Sequence, residues 1–144
     1  MNAKFVIPGP PMGKARPRMT KTGHTYTPEE TVMYENLVKT EYERQVDHRY
    51  ADDAMLDVRV FAYYPIPKSA SKKKQKAMRE NRIRPTKKPD WDNIGKIVCD
   101  SLNSVAYRDD AQIVDAMVRK FYSDNPRVLV TIRAYDPGEE VNTQ

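Results

Sequence analysis

The chain has 144 residues, 31% of them charged, with a net charge of +5; that length suits one domain with a real core, and nine tyrosines with three phenylalanines argue against disorder. Its one cysteine, Cys99, excludes an intrachain disulfide and a zinc site built from cysteine alone. No signal-like apolar region opens the sequence and no run approaches the ~18 residues of a membrane helix, so a soluble cytoplasmic protein with no membrane partner is expected.

Lys4 to Ile7 predicts a short strand, ended by Pro8-Gly9-Pro10-Pro11 because proline cannot continue a ladder. Residues 12–24 read as a basic loop. Thr27 as N-cap, Pro28 at the first helical position and Glu30 at the third predict a helix opened by a capping box. Tyr34, Leu37, Val38 and Tyr42 follow at helical spacing, and the helix fades near Val46. From Leu56 to Tyr64, Leu56, Val58, Val60 and Ala62 alternate with Asp57, Arg59, Phe61 and Tyr63, the pattern of a strand closed by Pro65 and Pro67. Ser69 or Ser71 caps a short lysine-rich helix to about Glu80, and Arg82 to Pro89 is extended.

A second strong helix is predicted from Asp92. Ile94, Ile97, Val98 and Leu102 make its apolar stripe, opposite Asp92, Lys96, Asp100 and Asn103. After a turn at Tyr107 to Asp110, residues 111–122 read as a strand. Asn125-Pro126 turns the chain, and Val128, Val130, Ile132 and Ala134 alternate as a last strand, so a C-terminal antiparallel hairpin is expected. The fold class is α+β (mixed α/β): one domain over residues 1–135, a mixed sheet flanked by helices, with residues 136–144 a frayed tail.

The charge is unevenly spread. Residues 68–88 hold ten Lys or Arg and one acid, Glu80, so this stretch carries +9 and the remainder −4. A smaller cluster, Lys14, Arg16, Arg18 and Lys21, contains no acid. A basic segment on a slightly acidic body is the footprint of a nucleic-acid binder, although a solvated basic loop has the same composition. The expected DNA contacts are Lys14, Arg16, Arg18, Lys68, Lys72, Lys73, Lys74, Lys76, Arg82, Arg84, Lys87 and Lys88.

The stretch Lys88-Pro89-Asp90-Trp91-Asp92-Asn93-Ile94-Gly95-Lys96 carries the chemistry. Asp90 and Asp92 are two apart in chain read as extended, so their carboxylates share a face. Like charges so placed repel, and a hard divalent cation such as Mg2+ relieves that repulsion. Lys96, four residues after Asp92, shares its helical face and can stabilise charge developing at phosphorus. Arg108-Asp109-Asp110 adds two acids at the next turn. Each acid also has an ordinary reading: Asp92 as a helix N-cap, Asp109 and Asp110 as turn residues, Lys96 and Asp100 as a surface pair. His24 and His48 lie far apart and read as surface residues. Trp91 either stacks on a base or packs on the sheet.

Asp90-x-Asp92-Asn93-x-x-Lys96 followed by Asp109-Asp110-x-Gln112-Ile113-Val114 resembles the RusA-type Holliday-junction resolvases. Pro-Met-Gly-Lys-Ala-Arg-Pro-Arg near the start, Tyr26-Thr27-Pro28, Ile66-Pro67-Lys68-Ser69 and Ile83-Arg84-Pro85-Thr86 resemble its phage-type members. The similarity covers most of residues 4–133. It implies a homodimeric endodeoxyribonuclease that needs Mg2+, with Mn2+ as a substitute, and nicks a four-way junction in symmetric pairs. It also implies that Asp90, Asp92 and Asp110 hold the metal, that Lys96 assists, and that Asp109 is a possible additional acid. Two rivals stand beside this reading: a non-catalytic basic DNA-binding module, and a nuclease acting on flaps or RNA.

Overall fold

The computed structural model describes residues 1–139. The strand β1 (Asn2–Pro8) is followed by a ribbon of two-residue strands, β2 (Arg18–Met19) and β3 (Thr25–Tyr26), then by helix α1 (Glu29–Gln45). The ribbon lies largely inside the stretch read as loop; Gly23, at φ +86°, supplies its turn. Strand β4 (Leu56–Pro65), helices α2 (Lys72–Arg79) and α3 (Trp91–Ser101), and strands β5 (Ile113–Ser123) and β6 (Arg127–Ala134) complete the domain.

The main sheet has the order β1-β6-β4-β5. Leu56, Val58, Val60, Ala62 and Tyr64 of β4 are buried, as their alternation predicts, and both edges of this strand are paired. β6 runs antiparallel to β1 and β4, while β5 runs parallel to β4, so the sheet is mixed. The expected C-terminal hairpin does not form: β4 lies between β5 and β6. The linker explains this. Three residues, Asp124 to Pro126, reach ~10 Å, about two strand spacings. A two-residue hairpin needs positive φ, which proline forbids. The Ser123 hydroxyl instead accepts the Asn125 N–H at 3.0 Å and the Arg127 guanidinium at 3.2 Å.

Two helix starts differ from expectation. α1 begins at Glu29, and Pro28 stands at the cap with no side-chain bond. The Pro28 carbonyl receives the N–H groups of Thr31 and Val32, so Thr27 falls one residue too early for a capping box. α3 begins at Trp91 with Asp90 at the cap position, one residue before the predicted start. α2 begins after Ser71, one of the two caps predicted, whose hydroxyl accepts the Lys74 N–H at 3.2 Å. Residues 136–139 include a short 3-10 turn, Pro137–Glu139; the rest of the tail expected to fray lies outside the described residues.

α3 is what positions the chemistry. Its stripe of Ile94, Ile97, Val98 and Leu102 is fully buried. Gly95 lets the helix approach β5 closely, since a Cβ there would lie 3.2 Å from Val118 Cγ2. Burying this stripe leaves the opposite face, with Asp92, Lys96 and Asp100, turned away from the core.

Candidate active site

At the start of α3, Asp90 and Asp92 are both exposed. Asp90 makes no side-chain cap bond, and Asp92 sits inside the first turn rather than at the cap. The N-cap reading of Asp92 therefore fails, and both carboxylates stand near the positive end of the helix dipole. The ground beneath Asp90 is laid by the sheet. Tyr64 donates from its hydroxyl to the Pro89 carbonyl at 2.6 Å, and Lys120 donates to the Lys87 carbonyl at 2.7 Å. Burial, helped by the Asp90 charge, pushes the Tyr64 hydroxyl up to about 12. Burial also lowers the Lys120 ammonium, which the Asp90 charge opposes.

At the far end of the helix a second acidic group forms. Tyr107, fully buried, donates to the Cys99 carbonyl at 2.6 Å. Asn103 Oδ1 accepts the Asp110 N–H at 2.7 Å. These bonds fold the turn back onto α3 and bring the Asp110 carboxylate beside that of Asp100. Burial first, and then Asp110, raise the Asp100 carboxyl above the ordinary carboxylate range, while Lys14 and Lys96 pull it down.

The sequence-predicted acids thus divide. Asp92 and Asp100 are two helical turns apart on one face, roughly 12 Å at 1.5 Å per residue, with Lys96 between them. Asp110 joins Asp100, and among the described residues no three acid, histidine or cysteine side chains converge closely enough to hold an ion. The donors nonetheless suit a hard divalent cation. They are carboxylate oxygens, and two carboxylates held beside each other repel, a cost that a cation relieves. Asp109 is used differently. Its carboxylate accepts the Ala111 N–H at 2.9 Å, and the Gln112 side chain accepts the Asp109 N–H at 3.2 Å. It caps the 3-10 turn Asp110–Gln112 and so aims Asp110.

Of the expected DNA contacts, Lys68, Lys72, Lys73, Lys74 and Lys76 are exposed on and before α2, and Arg16 and Arg18 are exposed on the N-terminal loop. Arg82 pairs with Glu80 at 2.7 Å. Arg84 is spent on the fold, lying 4.3 Å over the Phe121 ring and donating to the Lys120 carbonyl. Lys87 is exposed, and Lys88 lines a cleft of about 380 Å³ with Met12, Gly13, Pro89, Asp90 and Asn93. Lys14 turns inward onto Glu35 at 2.7 Å and Asp100 at 3.9 Å. Trp91 is 64% exposed, so it does not pack on the sheet. His24 is exposed and His48 half-buried.

A family model described as Endodeoxyribonuclease RusA matches residues 8–133. The chain belongs to the RusA family. That match takes in the N-terminal loop, the basic segment, α3 and the Asp109-Asp110 turn together. The chain is also 39% identical over 136 residues to "Uncharacterized protein YqaN" of Bacillus subtilis (strain 168), covering 90% of this chain and 94% of that one. RusA membership implies nuclease activity of the Holliday-junction-resolvase kind on branched DNA, with a divalent metal. No described helix is long and apolar enough to cross a membrane.

Sequence reasoning passed over Asp100, reading it as half of a surface pair with Lys96. The signal that could have found it was its place two turns beyond Asp92 on the same polar face. Glu35 and Tyr64 carried no such signal, because each reaches the site only through tertiary packing.

Proposed function

We propose that this RusA protein is a Mg2+-dependent endodeoxyribonuclease, acting as a homodimer, that resolves four-way junctions by paired symmetric nicks. The observation that carries the reading is the polar face of α3, where Asp92, Lys96 and Asp100 stand in line and Asp110 docks at the end. Asp90 and Asp92 at one end of this face, and Asp110 with Asp100 beside it at the other, would supply the carboxylates for Mg2+ or Mn2+. When bound, the ion supplies an activated water and neutralises charge at phosphorus.

The chain's own groups do the rest. Lys96 projects from the middle of the acidic face, where its ammonium stabilises the charge developing on the phosphate oxygens. Asp109 and Asn103 hold Asp110 in place through the backbone. The exposed lysines of α2, with Arg16 and Arg18, hold the DNA backbone, which gives a salt-dependent and largely sequence-independent affinity. A twofold-symmetric junction suits an isologous pair of subunits, each delivering one nick.

The test is a substrate panel: labelled four-way junction, flap, duplex and single-stranded RNA, each with and without Mg2+. Paired nicks in the junction alone, dependent on Mg2+, are the expected result. Cutting of flap or RNA in preference, or binding without cutting under every condition, overturns the proposal.

A further inference from the structure

The N-terminal loop is fastened to the start of α3 through its backbone. The Lys14 N–H donates to the Asn93 carbonyl at 3.1 Å. Gly13 lies so close that a Cβ there would meet Pro89 Cβ at 3.0 Å and Asn93 Cβ at 3.1 Å. A side chain there would push the loop back by a few tenths of an ångström from the segment bearing Asp90 and Asp92.

The Lys14 ammonium then enters a gap between two helices. It meets Glu35 of α1 at 2.7 Å and Asp100 of α3 at 3.9 Å; the three side chains are 25%, 20% and 27% exposed. A lysine that binds phosphate keeps its head in water. This one is mostly removed from water and already faces two carboxylates, one of them in contact with Asp110. Arg16 and Arg18, next along the loop, are exposed.

We propose that Lys14 is a positioning residue of the nuclease site, holding Asp100 against Asp110 from the Glu35 side, and not a DNA contact. The inference rests on the nuclease reading above. Removing the ammonium leaves Glu35 and Asp100 half-buried without their shared cation, and their repulsion drives Asp100 away from its place. Because the same loop carries Arg16 and Arg18, the ion pair also ties the DNA-holding arm to the acids.

The experiment compares full-length wild type, Lys14→Met, Lys14→Arg and Glu35→Gln. Junction affinity is measured against salt in EDTA, and single-turnover cleavage is measured at saturating junction with Mg2+. The expected result for Lys14→Met is an unchanged salt slope and a cleavage rate lower by about tenfold or more, the scale of a misplaced catalytic group. Lys14→Arg restores the rate to within about threefold, since the charge is kept while the ammonium geometry is not. A salt slope shallower by about one unit in Lys14→Met would show a phosphate contact and overturn the proposal. So would an unchanged cleavage rate. If Lys14→Met does not fold, Glu35→Gln decides: a severalfold loss of rate at constant slope supports the clamp, and an unchanged rate overturns it. A wild type that binds the junction but never cuts it refutes the nuclease reading instead, which separates the two failures.

Discussion

Asp100 and Asp110 meet side chain to side chain at the C-terminal end of α3. The contact exists because Asn103 and Tyr107, both anchored to that helix end, reverse the chain between them. Two carboxylates held together by the fold are costly as anions, and that cost gives them a use.

The cost is measurable without metal. The Asp100 carboxyl is raised in the folded protein, so folding favours its protonated form. Its contribution is most favourable below the ordinary carboxylate value and is lost as pH rises through the folded value. In metal-free buffer at pH 7, Asp100→Asn should therefore melt higher than wild type. The gain is about 2 °C at most for a carboxyl that keeps part of its solvent exposure, and it should vanish as pH falls toward about 4, the ordinary carboxylate value. A variant that melts below wild type at pH 7 would contradict this account.

Asp92→Asn is expected to abolish cleavage of a four-way junction while leaving its affinity within about twofold, because the loss falls on charge neutralisation at phosphorus. Asp92 is exposed and makes no cap bond, so the substitution should not disturb α3. Gel-shift binding in EDTA beside a cleavage assay in Mg2+ tests both halves; cutting at the wild-type rate would remove Asp92 from the site.

Replacing Lys72, Lys73, Lys74 and Lys76 together with Gln should weaken junction binding and flatten its salt dependence. If all four contact phosphates, the log–log slope falls in magnitude by about 3.6. Cleavage at saturating DNA should be unchanged, because α2 carries none of the acids. A slope identical to wild type would relocate the DNA path.

Cys99 should be inert in the folded protein. Burial pushes its thiol up to about 12, with the Asp110 and Asp100 charges adding to the effect. Alkylation by iodoacetamide at pH 8 should be roughly a thousandfold slower than in the denatured chain, since the thiolate is the reactive form. Rapid labelling of the native protein would show that the turn over Cys99 opens readily.

Several features were legible from local sequence because their causes are local. The stripe of Ile94, Ile97, Val98 and Leu102, the alternation of β4 and the Ser71 cap each depend on neighbours within a few residues. The hairpin expectation failed because strand order is not local: β5 and β6 both suit a sheet, but β4, needing partners on both edges, took the place between them. Trp91 was ambiguous in sequence, and its exposure excludes packing on the sheet.

For the acids, helical period alone turns Asp92, Lys96 and Asp100 away from the core once the apolar stripe is known, and composition alone makes the segment ahead of them basic. Neither period nor composition returns Asp110 to Asp100, spends Asp109 as a cap, or turns Lys14 from the expected DNA surface into the gap between α1 and α3; those arrangements exist only in the folded chain. One cause accounts for all three. Periodicity fixes the direction of a side chain relative to its own helix or strand, whereas the partner it meets depends on contacts between segments far apart in the chain.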